Sequence, residues 1–381
     1  MKTQLITGIL ACLFIVPVSA QDSLKKETKL YSGFYNQVTE NFPYPLLGVV
    51  NSASGNQQNA QVGMVNLNQK NITGAQLGFS NLAGGNVSGV QLGFVNMAKD
   101  SVDGLQGGFI NVGGKALNGV QTAFLNISGA TGKGAQIGYV NLLSGNLQGT
   151  QVGFVNALRE DLKGAQIGYV NVCGGKADGI QLGFVNISRK EVIGSQVGFV
   201  NVAGKQNKGF QFGFVNVADS FAGGIPFGFI SFVKKGGYRA IELGSSDLFQ
   251  VQPTFKIGVK PLYTAFGVGY NDEFKYEFSA GFGLGSIIPV GKHFYINPEA
   301  MFYQSVEEEQ QYFTLLNAML GLEFKHFAFS IGPTLTWTHA ENSETLNGSA
   351  LQPKFNFYKE ELDGRNRVHL GAKAGLSFIF N

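Results

Sequence analysis

Residues that carry chemistry are scarce in this chain. Two of its 381 residues are cysteine, four are histidine and one is tryptophan. Cys12 falls in an N-terminal segment expected to be removed, so the expected mature chain holds only Cys173 and forms no internal disulfide. His293, His326, His339 and His369 lack metal-site spacing and a neighbouring nucleophile motif. No enzyme activity, cofactor or bound metal is therefore expected. Charged residues make up only 14%, with a net charge of +3 and no basic stripe, so nucleic acid is not an expected partner. Beyond residue 20 no apolar run reaches the roughly 18 residues of a membrane-spanning helix.

Glycine is abundant instead, with 54 residues, and aromatics reach 12%. Both follow a fifteen-residue frame over residues 46–233. Its clearest copies are Gly134-Ala-Gln-Ile-Gly-Tyr-Val-Asn141, Gly149-Thr-Gln-Val-Gly-Phe-Val-Asn156 and Gly164-Ala-Gln-Ile-Gly-Tyr-Val-Asn171. Glutamine recurs as Gln61, Gln76, Gln91, Gln106, Gln121, Gln136, Gln151, Gln166, Gln181, Gln196 and Gln211. Five residues after each stands Asn66, Asn81, Asn96, Asn111, Asn126, Asn141, Asn156, Asn171, Asn186, Asn201 or Asn216. A strict period of this kind specifies a stacked repeat.

Each unit reads as a short β-branched and aromatic strand, then a variable bend carrying the charges, then one aliphatic residue of a second short strand. Two short strands and two bends make one coil of a narrow β-solenoid. About thirteen coils at roughly 4.8 Å each give a rod of about 60 Å. In a parallel, in-register stack each Gln lies over the previous Gln and each Asn over the previous Asn, so their amides form axial ladders with a structural role. A sugar-binding polar stripe is the alternative for the same residues. The Phe/Tyr face is expected to form the core.

Ahead of the rod, residues 1–20 have Lys2, an apolar run and Val18-Ser19-Ala20, the pattern of a secretory signal peptide. Residues 21–45 are expected to cap the first coil. After residue 234 the period of fifteen gives way to alternation. Dyad patterns at 249–259, 262–270, 274–285, 294–303, 312–324, 327–337 and 368–380, with a less regular stretch near 238–243, add up to eight strands. Their length of about ten residues suits tilted strands in a bilayer. Short connections near Val290 and Lys325 alternate with longer polar ones, including 340–367. Aromatics are expected in two girdles: Phe249, Tyr270, Tyr303, Tyr312 and Trp337 at one level, Phe294, Phe324, Phe327 and Phe380 at the other. The polar faces carry Lys256, Lys275, Glu277, Glu299, Glu323 and Lys373, which are expected to pair across a filled lumen.

The C-terminal third resembles the small eight-stranded outer-membrane barrels, whose last strand commonly ends in an aromatic residue; here Phe380 precedes Asn381. The repeat resembles the Gly-x-Gln-x-Gly-Phe-Val-Asn surface-repeat proteins of Gram-negative bacteria and, more loosely, the Gln-x-Gly-x-x-Asn units of curli subunits. What the resemblance implies is an envelope location with no characterised chemistry. The expectation is an all-β chain, a β-solenoid followed by an eight-stranded antiparallel barrel. It would be exported to the outer membrane, with lipid, cell wall, glycan or a host surface as partners. A rival reading makes each repeat a transmembrane strand of one large transport barrel, and another makes the solenoid a carbohydrate-binding or carbohydrate-degrading protein.

Overall fold

The computed structural model describes residues 31–39, 41–206, 208–272, 278–306, 311–340 and 356–380. The signal-peptide segment, Lys275, Glu277 and the central part of the 340–367 connection lie outside them. The described residues form a parallel β-solenoid of about thirteen turns and a separate closed barrel of eight antiparallel strands. Each coil pairs with the next at an offset of fifteen, for example Gln136↔Gln151 and Asn141↔Asn156. Parallel coils cannot be the strands of one large up-and-down barrel, which removes that rival.

Two features of the rod differ from the sequence expectation. Tyr31–Val38 is itself a coil in register, with Asn36↔Asn51, so the frame starts one unit earlier than Asn51. That unit has Tyr31 in the glutamine slot, which hides it from the sequence signature. The larger difference concerns the core. Gln and Asn point inward and are fully buried, whereas Phe154 is 43% exposed and its counterparts behave alike. Simple alternation would put residues five apart on opposite faces of a strand. The chain turns a corner between them, at the Gly two residues after Gln, and so directs both amides inside.

A fifteen-residue circumference encloses little volume. Besides the two amides it takes one aliphatic side chain, such as Leu147 or Leu162, and one more side chain, such as Ala98, Leu158, Cys173 or Ser188. No space remains for rings, which stack outside instead. From Phe79 to Phe214 consecutive ring centroids are 4.8–5.1 Å apart and nearly parallel.

Two glycine slots differ in kind. Gly149, two residues before Gln, has φ of +154°, and a Cβ there would strike the carbonyl oxygen of Gly134. Gly153, two after Gln, would strike the Gly138 carbonyl but has no positive φ, and the same slot holds Ala123 in one coil. Gly149→Ala should therefore cost the rod about 3 kcal/mol or more, combining backbone strain with overlap. Gly153→Ala should cost about 1–2 kcal/mol. Thermal unfolding followed by circular dichroism ranks the two, and equal losses would remove the special role of the first slot.

The barrel strands are Tyr238–Ser246, Gln252–Val259, Leu262–Tyr270, Phe278–Gly285, Phe294–Ser305, Gln311–Glu323, Phe327–Ala340 and Asn366–Ile379. The first closes on the last, with Leu243↔Leu376. Tyr358–Asp363 adds a short hairpin to the start of the eighth strand. The rod's last coil, Ile225–Lys235, rests on the outer wall of strands two and three. Val259 joins the rod's core cluster, and the Thr264 hydroxyl donates to the Gly228 carbonyl at 2.9 Å. Phe229 packs edge-on against Phe266 at 4.9 Å. The barrel wall thus covers the rod's open end, where backbone groups would otherwise lack partners.

Candidate functional site: amide ladders, a sealed lumen and an apolar wall

The asparagine ladder runs unbroken from Asn36 to Asn216. Asn141 Nδ2 donates to Asn156 Oδ1 at 2.8 Å and to the Val152 carbonyl at 2.9 Å. The second bond settles which amide atom is nitrogen, and it explains the corner: there a carbonyl turns into the core and needs a donor. The glutamine ladder runs the other way, Gln151 Nε2 donating to Gln136 Oε1 at 2.8 Å. Opposed donor directions keep the two sets of amide dipoles from adding along the rod. Both ends of the glutamine ladder are left open, at Gln61 Nε2 and Gln211 Oε1, because the next slots hold Leu46 and Pro226. None of these amides reaches the surface, so they form no sugar-binding stripe.

Cys173 occupies a fully buried core slot of the rod. Burial pushes its thiol pKa above the ordinary value. In a chain with Cys12 replaced, a neutral-pH thiol reagent should modify it at least about 100-fold more slowly than a free cysteine, since thiolate is both scarce and enclosed. Denaturant should restore the full rate. Fast labelling of the folded rod would contradict the closed interior.

In the barrel, alternation divides each strand between lumen and wall. Glu242, Lys256, Glu299 and Lys373, from strands one, two, five and eight, meet as a neutral quartet. Lys256 Nζ lies 2.8 Å from Glu242 and 2.7 Å from Glu299. Lys373 Nζ lies 2.9 Å from Glu242 and 3.0 Å from Glu299. Further donors complete the carboxylates: the Tyr263 hydroxyl at 2.8 Å and Asn317 Nδ2 at 3.2 Å on Glu299, and the Ser377 hydroxyl at 3.2 Å on Glu242. Above the quartet, toward the longer connections, Gln252 Nε2 donates to the Tyr303 hydroxyl at 2.6 Å, and the Phe249 and Tyr303 rings lie 5.0 Å apart. His369 Nε2 and Asp247 Oδ2 form a buried contact at 2.6 Å. These packed and ion-paired side chains fill the middle of the lumen.

Several sequence expectations land elsewhere. Phe249 and Tyr303 fill the lumen and do not join a girdle, because Tyr303 falls on the inward parity of its strand and Phe249 folds in ahead of strand two. Glu323 is not in the quartet but pairs with Lys260 at 2.6 Å, at the short-turn end. Glu242 was missed; the alternation Tyr238, Ala240, Glu242, Gly244 carries the signal, diluted by small residues. Glu361, between strands seven and eight, accepts from Arg367 Nη2 at 3.1 Å.

The outward parity is apolar around the circumference. Ile241, Leu243, Phe255, Phe282, Phe302, Leu320, Phe329, Ile331 and Phe378 all face out, with Ile331 65% and Leu320 64% exposed. Part of this wall forms a groove of about 940 Å³ lined by Leu243, Ile296, Leu320, Phe329, Ile331 and Leu376 among others. Trp337 is exposed near the end with the longer connections, and Phe294, Phe324 and Phe327 near the end with the short turns. Among the described residues no cluster of His, Cys, Asp and Glu has a metal-holding arrangement. No protein-family model, curated protein or solved structure matches this chain.

Proposed function

We propose that this chain is a non-enzymatic structural protein of a bacterial envelope, with its barrel embedded in an outer membrane and its repeat rod held on the periplasmic side. One observation carries the reading: a closed barrel whose charged groups are paired inside and whose outer wall, apart from the part of strands two and three that the rod covers, is an exposed apolar surface. Water would solvate that wall poorly, while lipid hydrocarbon matches it. The connections support that side. At the rod's end strands two and three are joined by two residues, six and seven by three and four and five by eight, whereas at the other end the joins are five, seven, five and 25 residues, the last across 341–365. Barrels of this class keep short turns in the periplasm, and the rod enters at that end. A sealed lumen argues for anchoring over transport.

Protease shaving tests the placement. One epitope goes into the bend 159–162 and another into the turn at Gly364, at the end with the longer connections. In intact cells the Gly364 site should be cut and the bend protected, with the bend becoming sensitive once the outer membrane is permeabilised. Cutting of the bend in intact cells would place the rod outside and favour an adhesive role. Protection of both sites would refute the insertion altogether.

A further inference from the structure

The rod's outer surface is divided as sharply as the barrel's. Each coil has three sides, and five outward slots cover two of them: one before Gln, and one, three, four and six after it. From the coil of Gln61 to that of Gln211 these slots contain no Asp, Glu, Lys or Arg. They hold residues such as Ala, Ile, Tyr, Val and Leu at 135, 137, 139, 140 and 142. The charges are confined to the third side, in slots such as Lys133, Arg159, Glu160, Lys163 and Lys190. Where the two apolar sides meet, the rings from Phe79 to Phe229 form a ridge of eleven, about 50 Å long at one ring per coil. A surface of this extent exceeds what a protein leaves facing water without a use for it.

We propose that this ridge is a membrane-binding surface and that the rod lies with it sunk into the interfacial layer of the bilayer that holds the barrel. Two observations select lipid over a second copy of the chain. First, the ridge is continuous with the barrel wall: its last ring, Phe229, touches Phe266 and lies 6.4 Å from Phe282, a wall residue that is 52% exposed. A lipid-facing wall therefore leads directly into the ridge. Second, the ridge is convex. A facing copy would cover one flank and leave the other wet, whereas a fluid bilayer closes around both. The rod then behaves as an amphipathic element lying in the plane of the interface, its charged side turned to water.

This inference rests on the membrane reading of the barrel, and the test separates the two. In the full chain with Cys12 and Cys173 replaced by Ala, single cysteines carry a nitroxide at position 94, 154 or 199 on the ridge, 133 or 159 on the charged side, or 331 on the barrel wall. The proteins are reconstituted in phosphatidylethanolamine/phosphatidylglycerol vesicles, and collision with oxygen is compared with collision with a water-soluble nickel complex. Ridge labels should favour oxygen over nickel by about tenfold relative to labels at 133 and 159, and should approach the label at 331. Equal nickel exposure of ridge and charged side, with 331 in lipid, would overturn the inference and leave the barrel reading standing. Ridge labels shielded from both reagents and broadened by spin–spin contact would also overturn it, in favour of paired copies. Nickel exposure at 331 would remove both readings. A further variant, Phe124→Asp with Phe154→Asp and Phe184→Asp, leaves the internal ladders intact. It should raise nickel exposure at 199 several-fold with unchanged circular dichroism; no change there would count against the ridge.

Discussion

Lys373→Met should destabilise the barrel by about 3–5 kcal/mol, the usual result of removing one partner from a buried charge set. Lys373 contacts Glu242 at 2.9 Å and Glu299 at 3.0 Å, and all three side chains are almost completely buried. Its loss leaves two carboxylates facing only Lys256, one negative charge in excess in a low-dielectric lumen. The sign of the second step makes the argument testable. Adding Glu299→Gln restores neutrality while keeping hydrogen-bonding capacity near Tyr263 and Asn317, so the double variant should be more stable than Lys373→Met alone. Urea midpoints in bilayers, with heat-dependent gel mobility to report the closed barrel, give the cycle. A cost for Lys373→Met below about 1 kcal/mol would mean that water reaches the quartet and that the lumen is not sealed.

Asn156→Leu should damage the rod by a comparable amount through a different route. Leucine nearly matches asparagine in shape but cannot hydrogen-bond. Asn156 Nδ2 donates to the Ile167 carbonyl and to Asn171 Oδ1, each at 2.9 Å, and its Oδ1 accepts from Asn141 at 2.8 Å. The change strands two buried acceptors and one buried N–H, at about 1–3 kcal/mol for each orphan, so about 3–9 kcal/mol in sum. Each coil contacts only its neighbours, so the loss should stay local. Hydrogen exchange should accelerate most in the coils between residues 136 and 186. Ser231→Ala, at the end of the ladder where Asn216 donates at 3.3 Å and the Ser231 hydroxyl donates to the Pro226 carbonyl at 3.0 Å, should cost less than Asn156→Leu, about 1–3 kcal/mol. Uniform acceleration over the whole rod, or a larger effect at Ser231, would argue against nearest-neighbour stacking.

What the sequence disclosed and what it concealed follow from the same physics. The fifteen-residue frame could be read because stacking makes every slot answer to its counterpart one coil away, and the identity of Gln136 with Gln151 is that constraint written in residues. The eight strands could be read from parity, as in Phe278, Ala280, Phe282 and Leu284. The direction of the rod's interior could not, because it depends on a corner. Alternation continues only while a strand is straight, and nothing in Gly-Phe-Val states that the chain bends there. The rule that large apolar side chains fill cores also misleads when a core is too narrow for a ring. In the barrel Lys256, Glu299 and Lys373 stood out on polar faces, yet the quartet needed Glu242, from the strand with the weakest pattern. Tyr303 shows the same limit: aromatic identity alone does not distinguish a girdle from a packed lumen.

The register of the rod has a genetic consequence. Each bond of the two ladders and each stacked pair of the ridge joins a residue to the one fifteen positions away. Forty-five nucleotides therefore encode a module that touches only copies of itself. Gain or loss of one module by slippage between near-identical repeats would leave the remaining contacts intact and change the rod's length by about 4.8 Å. The barrel has no such freedom, since removing one strand breaks its closure and its quartet. Selection acting on this gene thus has one continuous dial, reach, attached to a fixed anchor. Populations should carry alleles that differ in whole multiples of forty-five nucleotides between codons 46 and 233 and hardly at all in length beyond them.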